Sequence, residues 1–495
     1  MVVETNEQAL YAAFESRDPR FDGKFFVGVS STGIYCRPVC HAKMPKKENC
    51  TFFASAAEAE QAGYRPCMTC RPELAPGRSI VDARSSLARR AAQLLEETCN
   101  SRMGMERVAG KLGCSSRHLR RVFEEEHNVT PVQYVQTCRL LLAKSLLTDT
   151  RLPITQVARA SGFGSVRRFN DVFKEQYRMP PSRLRRQASS DDGLRAKDAA
   201  LYVGYQPPFC WEGLLAQIAE ASIPAIDRVE RSRYMRGVRL KSPNGDEHVG
   251  WIEVAHAPKK SSLAVDVSPD LLPVLPQVIS RVRRMFDTAC DPSSVDAVLS
   301  GCSLKTGPYR SGSRLAGCFD AFEAAAIAVL HHLTKGDDIE SLVTTIAEGL
   351  GDRVKTDAES CFSVFPGPAT LKADGGALER LLENEGRPRQ WAGMLRSLAG
   401  LFVGDAPAFD ANGIPEEELR KIDEIVELAD WEKRELAIRI FMWPDVLLGD
   451  DLAVRAAFEA SAGAGWEQAD AWSPWRSYYC ASIIQERLTS DRKEV

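Results

Sequence analysis

The sequence predicts a multidomain α+β protein, and three observations predict it. Four cysteines fall in two close pairs near the N-terminus, Cys36 with Cys40 and Cys67 with Cys70. A continuously helical stretch follows, with 22 basic and 11 acidic residues between 71 and 190, a net charge of +11. From about residue 199 the apolar pattern alternates as strands do, and beyond about 271 it returns to helical spacing. At 495 residues the chain has room for about three or four domains. The expected order is a small metal-binding α+β module over 1–76 and an all-α segment of paired helix-turn-helix units over 77–190. An α+β domain over 199–300 and an all-α domain over 301–490 complete it. The breaks are the run Arg71 to Arg78, read as a linker, and the polar run Gln187 to Lys197.

The composition is that of an ordinary globular protein, 44% hydrophobic and 26% charged. No apolar run approaches the roughly 18–20 residues of a membrane span, so no membrane partner is expected. The chain opens Met1-Val2-Val3-Glu4 without an apolar leader, which points to a reducing, cytoplasmic setting. The net charge of −3 hides an asymmetry. The basic middle is an electrostatic footprint for nucleic acid, whereas residues 191–495 carry −14.

The first module is read from its cysteines. Three residues separate Cys36 from Cys40, twenty-six separate Cys40 from Cys67, and two separate Cys67 from Cys70. Four thiolates at such spacing suit one tetrahedral Zn²⁺, and in a reducing compartment zinc outweighs a disulfide reading. His41 is a conceivable substitute ligand, but four cysteines already fill a tetrahedron, so it is read as an exposed loop residue. Spacing alone leaves open whether the metal only holds the fold or also arms a thiolate.

The second segment repeats one pattern. Ala109, Gly113, Leu119 and Phe123 are matched by Ala158, Gly162, Phe169 and Phe173. A small residue packs where two helices cross, a glycine makes the tight turn, and apolar residues four apart anchor the second helix. That second helix is the one that enters a major groove. Near its start lie Ser115, Ser116, Arg117 and Arg120 in the first unit, and Ser165, Arg167, Arg168 and Asn170 in the second. Arginine reads guanine edges and asparagine reads adenine. Double-stranded DNA is the expected partner. The run Gly162-Phe163-Gly164-Ser165 followed by Arg168-Phe169-Asn170 resembles the second unit of the AraC-type regulators, over roughly residues 85–187.

With that neighbour, the cysteine module narrows. Thr32 to Cys40, Glu48 to Phe53 and Ala62 to Pro72 are similar to the N-terminal domain of the Ada-type methylphosphotriester-DNA methyltransferases, over about residues 5–75. The resemblance implies that all four cysteines bind zinc and that Cys36 takes a methyl group from a DNA phosphotriester. It also implies that zinc is both structural and thiolate-activating, and that Arg65 meets DNA. An activator of this kind implies RNA polymerase as a further partner. Zinc keeps a thiolate deprotonated at neutral pH, and the neutral triester does not repel an anionic site. A purely structural zinc ribbon is the bland alternative.

The back half resembles the AlkA-type DNA-3-methyladenine glycosylases of the helix-hairpin-helix class over about 199–490. The matching runs are Tyr205-Gln206-Pro207-Pro208-Phe209 with Trp211, Gly317 to Glu323, Asp450-Asp451-Leu452 and Pro474 to Tyr478. The resemblance implies a flipped base, Asp451 as the carboxylate that stabilises positive charge on the sugar, Trp431 in the base pocket and Leu333 as a wedge in the duplex. The sequence also departs from that family. The family's Gly-x-Gly hairpin, whose backbone N–H groups grip phosphate, reads here Val426-Glu427-Leu428-Ala429-Asp430-Trp431. Glu435 replaces a pocket tyrosine, Ile484 a late aromatic, and Leu330-His331-His332-Leu333 the usual Leu-Gly-Gln-Gln type of run. Asp451 also reads as a simple helix N-cap ahead of Leu452-Ala453-Val454. No Pro-Cys-His-Arg motif occurs, so O6-alkylguanine repair is not expected.

The expected whole is a DNA alkylation-repair protein and regulator with methyl acceptor, DNA reader and glycosylase. Two alternatives stand beside it. In one the back half is a degenerate DNA clamp on a regulator. In the other the zinc module senses electrophiles without DNA.

Overall fold

The computed structural model describes residues 7–491 except 19–20, 76–85, 102, 192–200, 302, 305–306, 357–360, 374, 405–406 and 461–465. The first module is a four-stranded sheet of β1 (Phe26–Val29), β2 (Ile34–Cys36), β3 (Cys50–Phe53) and β4 (Arg65–Pro66), in the order β3-β1-β2-β4. Strand alternation sends neighbours to opposite faces. Tyr35 enters one small core with Phe26, Phe53 and Ala59. Cys36 enters another with Phe14, Phe25, Val27, Cys40 and Cys67. The helix Ala56–Gln61 covers the sheet, capped by Ser55, whose hydroxyl accepts from Glu58 N.

The second segment is all helical. Met105–Lys111 and Ser116–His127 form one helix-turn-helix, Ile154–Ala160 and Val166–Tyr177 the other, and the long helix Pro131–Asp149 frames both. The frame helix begins with a capping box, Thr130 against Gln133, and proline at its first position. Ala109 and Ala158 are 1% exposed, and Leu119, Phe123, Phe169 and Phe173 are 0% exposed, as the repeat requires. Gly113 and Gly162 take φ of +69° and +81°, a conformation that strains any other L-residue. At Gly162 a Cβ would also meet Asn100 Cα at 2.5 Å.

The third unit is an antiparallel sheet of β5 (Leu201–Gly204), β6 (Asp227–Glu230), β7 (Arg233–Lys241), β8 (Glu247–Ala257) and β9 (Ser262–Val267), in the order β5-β9-β8-β7-β6. Helices Trp211–Glu220 and Leu275–Met285 pack on it. The last unit was expected to be all-α. It is mainly helical, but it holds two short ribbons, β10 (Ser303–Leu304) with β11 (Gly307–Pro308) and β12 (Asp352–Lys355) with β13 (Cys361–Val364). The second ribbon leans on the sheet domain, where Ser363 N donates to Ala225 O at 2.7 Å. Its strands are four residues each, too short for periodicity to separate them from helix.

The run after Cys70 is not a free linker. Pro72–Leu74 is a 3₁₀ turn with Pro72 and Leu74 buried. Arg71, at φ +52°, turns its guanidinium onto the frame helix, with two bonds of 2.6 and 2.7 Å to Asp149 and one of 2.9 Å to Glu73. Lys144 closes the ring onto Glu73. Lys144, Glu73 and Asp149 are 1%, 3% and 3% exposed. Removing one partner from such a buried set costs about 3–5 kcal/mol, because it strands a charge. Nearby, Glu60 accepts from Tyr35 at 3.0 Å and from Thr137 of the frame helix at 3.2 Å. Farther out, Lys24 pairs with Asp291 at 2.7 Å and Glu97 accepts from Ser280 at 2.7 Å, so the sheet domain is seated on both front units.

Burial pushes the Glu60 carboxyl up to about 8 from the ordinary 4.5. A folded-state value above the unfolded one means that the folded chain holds the proton longer. Stability from this group is therefore full below about pH 4.5 and is lost as pH rises toward 8. Glu60→Gln is expected to remove that slope. In urea unfolding of the zinc-loaded chain, the stability of wild type relative to the variant should fall between pH 5 and 8, by on the order of a few kcal/mol. A pH-independent difference would contradict the assignment.

Candidate zinc centre and nucleic-acid surfaces

Cys36 ends β2, Cys40 follows a turn, and Cys67 and Cys70 form a knuckle after β4. All four sulfurs lie within 4.8 Å of one another, and Cys40 Sγ is 4.0 Å from Cys67 Sγ. A tetrahedron with bonds of about 2.3 Å has edges of about 3.8 Å, so the donor set fits one Zn²⁺. Backbone bonds hold the frame: Cys67 N donates to Tyr35 O at 2.9 Å and Cys40 N to Arg37 O at 3.1 Å. Hydrogen bonding to Cys40, Cys67 and Cys70, and then burial, pushes the Cys36 thiol far up. As thiolates, four sulfurs held this close repel one another, and a cation among them offsets that repulsion. His41 is exposed and outside the cluster, as expected.

Arg37 is a residue that spacing did not reveal. Its N–H donates to Cys70 Sγ at 3.3 Å, its Nη1 to Cys70 O at 3.1 Å, and its Nε to Asp22 at 2.8 Å. It thus ties the residue after Cys36 to the second knuckle. Its adjacency to the first cysteine was the one available signal. Arg65 lies half-buried on β4 beside the knuckle, paired with Ile34. Cys36, Cys40 and Cys67 are 6%, 2% and 5% exposed, and Cys70 is the more open residue.

On the recognition helices, Arg117, Arg120, Arg167, Arg168 and Asn170 are all exposed. Ser115 and Ser165 stand at the N-caps of those helices. Their hydroxyls cap the helices, accepting from His118 N at 3.3 Å and Arg168 N at 3.2 Å. Ser116 is the first helical residue and half-buried.

In the back half, Asp451 caps the helix Leu452–Ala460. Its Oδ1 accepts from Ala453 N at 2.8 Å and Val454 N at 3.1 Å, and Oδ2 stays clear of the cap. A cleft of about 1150 Å³ opens beside it. Asp450, rather than Asp451, lines that cleft, together with Trp443, Arg434, Arg455 and Arg476. Asp450 is paired with Arg434 at 2.7 Å and Arg455 at 3.6 Å. Trp431 and Leu333 are not on the cleft wall. Trp431 is 40% exposed and stands edge-on to His331, with ring centres 5.4 Å apart. Leu333 is half-buried against the large helical core.

Comparison with known families gives three matches. Residues 9–73 match the metal binding domain of Ada, 108–187 a helix-turn-helix domain, and 200–320 the AlkA N-terminal domain. The chain joins Ada-type, AraC-type and AlkA-type domains. It is 28% identical over 481 residues, 94% of each chain, to a probable bifunctional transcriptional activator/DNA repair enzyme AlkA of Mycobacterium tuberculosis. Over 278 residues, 56% of this chain and 93% of the other, it is 28% identical to DNA-3-methyladenine glycosylase 2 of Escherichia coli. The bifunctional transcriptional activator/DNA repair enzyme Ada of Escherichia coli is 34% identical over 145 residues, 29% of this chain and 40% of that one. The four-cysteine cluster is therefore the zinc site of the Ada-type module. The paired helices are its AraC-type neighbour, and the cleft belongs to the AlkA-type region. No helix among the described residues is long and apolar enough to cross a membrane.

Chelation of the metal is expected to speed amide exchange at Cys67, whose N–H bonds Tyr35 O, and to leave Val254 at the centre of the far sheet unchanged. Equal protection at Cys67 with and without metal would show that zinc does not hold the knuckle.

Proposed function

We propose that the chain repairs alkylated DNA and regulates the response to it. The observation that carries this reading is the four-sulfur cluster in an Ada-type module seated on the frame helix of a paired DNA reader. Bound zinc keeps all four thiols deprotonated near neutral pH. Cys36 Sγ attacks the methyl carbon of a DNA methylphosphotriester. The sulfur–carbon bond forms, the carbon–oxygen bond breaks, and the electron pair leaves on the phosphodiester oxygen. The product thioether is stable in water, so each chain acts once. Methylation takes the site from formal charge −2 to −1. Near a phosphate, one unit charge at about 4 Å is worth up to about 4 kcal/mol before screening, which strengthens promoter binding. The arginines and Asn170 of the recognition helices read the promoter, Arg65 meets the backbone beside the knuckle, and a bound activator recruits RNA polymerase in the cytoplasm.

The AlkA-type region supports base excision, with 3-methyladenine as the representative substrate. Asp451 is the carboxylate assigned to stabilise developing positive charge on the sugar; its cap bonds both go to Oδ1, which leaves Oδ2 for that role. Trp431 and Leu333 serve as base platform and duplex wedge. The ion-paired cleft favours a second reading, a DNA clamp without excision.

Mass spectrometry of the zinc-loaded chain after incubation with methylated DNA is expected to find one methyl group on Cys36. A methyl on Cys70, the more open residue, would reassign the acceptor, and no methyl on any cysteine would end the reading. Wild type is expected to release free 3-methyladenine from the same DNA, with Asp451→Asn slower by about 10²-fold or more. Equal absence of release from both establishes the clamp.

A further inference from the structure

The helix Ala56–Gln61 of the zinc module is only six residues long, yet it is shared between two cores. Ala59, 0% exposed, lies in the small core of the module with Phe26, Tyr35 and Phe53. Ala57, 2% exposed, lies in the core of the first helix-turn-helix, with Ala109, Leu119 and Phe123. Between them in space runs the frame helix, where Thr137 donates to Glu60 and Gln133 Nε2 donates to Gln61 Oε1 at 2.7 Å.

The tails of both recognition helices come to this same short helix. Asn128, which ends Ser116–His127 at φ +56°, donates from Nδ2 to Glu58 Oε1 at 3.3 Å. Gln176, in the last turn of Val166–Tyr177, donates from Nε2 to Glu60 O and to Tyr64 O, both at 3.3 Å. An amide nitrogen carries two hydrogens, so one side chain serves both carbonyls. Tyr64 leads straight into β4, which ends just before Cys67. The next residue on the recognition helix, Tyr177, is buried against Phe173 with ring centres 4.5 Å apart, so this tail is fixed by packing as well.

The reading residues lie at the opposite end of these helices. Arg168 and Gln176 are eight positions apart, about 12 Å along a helix. A tilt at the tail is carried to the end that enters the groove. The frame helix joins the two units along one line, packing Leu140 and Leu147 against Phe169 and Phe173. One rod holds two bodies at a distance but lets each rock about it. A second tie, between the tails, removes that freedom.

We propose that the helix Ala56–Gln61 is a crosspiece that sets the spacing and tilt of the two recognition helices, with Asn128 and Gln176 as its positioning residues. The zinc module then determines how far apart two groove surfaces must lie for both units to engage. The inference rests on the reading that both helices enter one duplex. Half-site spacing is a geometric property of paired readers, and a site at the wrong spacing forfeits the gain from linking them.

The test uses the full, zinc-loaded chain and a duplex that wild type itself enriches from a random pool. A second duplex carries one extra base pair between the two protected groove surfaces, which separates them by about 3.4 Å and turns one against the other by about 35°. Wild type is expected to bind the lengthened duplex about tenfold or more weakly. Gln176→Ala removes the tie at the second helix. Asn128→Gly removes the tie at the first and keeps the left-handed backbone, which glycine adopts freely. In each variant the ratio of the two affinities is expected to narrow several-fold, and furthest when the two changes are combined. A loss of folded protein alone would lower both affinities together and leave their ratio where it was. An unchanged ratio in the combined variant overturns the proposal, and so does equal binding of both duplexes by wild type. If wild type enriches no duplex, or protects only one groove surface on it, the paired-reader assignment fails and takes the proposal with it.

Discussion

The arrangement of the front half depends on the buried ring of Arg71, Glu73, Lys144 and Asp149. Taking these charges out of water is costly, and only their mutual pairing offsets it. The ring therefore tolerates one seating of the zinc module on the frame helix and penalises others. It begins one residue after Cys70, whose sulfur and carbonyl are both held by Arg37. The zinc centre and the DNA-reading helices are thus parts of one framework. A change of charge at the sulfurs is therefore made in a fixed relation to the paired helices.

Two anionic sites in this chain are handled in opposite ways. At the four cysteines, negative charge is concentrated where only a cation can balance it. At the helical hairpin, the chain's own carboxylates accept from the amides of Leu428 and Ala429. The first needs a cation, and the second is balanced by the chain's own donors. The charge balance agrees, with the basic surplus confined to the paired helices and the acidic surplus behind them. Glu60 adds a third case, a carboxyl pressed so deeply between module and frame helix that it keeps its proton to about pH 8.

Much was legible where function follows local spacing. The cysteine pairs foretold one tetrahedral cluster, because a knuckle brings together ligands close in sequence. Ala109 with Gly113 and Ala158 with Gly162 foretold two helix-turn-helix units, because steric demands at a helix crossing act within a few residues. Ser115 and Ser165 were legible only as residues near the start of each second helix, and the cap geometry adds that their oxygens accept from the N-terminal amides. Arg71 was read as linker because proline and charge mark a break. Its buried role needs Asp149, seventy-eight residues away. The ribbon of β12 and β13 was missed because four-residue strands carry no period.

By itself the sequence determined the order of the units, the ligand set for zinc, the two recognition helices and the lack of a glycine hairpin. Each is written in residues that act on near neighbours, through turn geometry, capping or ligand spacing. Tertiary structure alone decided that the zinc module is clamped to the frame helix and that Asp450 rather than Asp451 lines the cleft. Those outcomes depend on which distant groups share a dry space. The energy of a buried charge is set by its partners in that space, and sequence proximity says nothing of who they are.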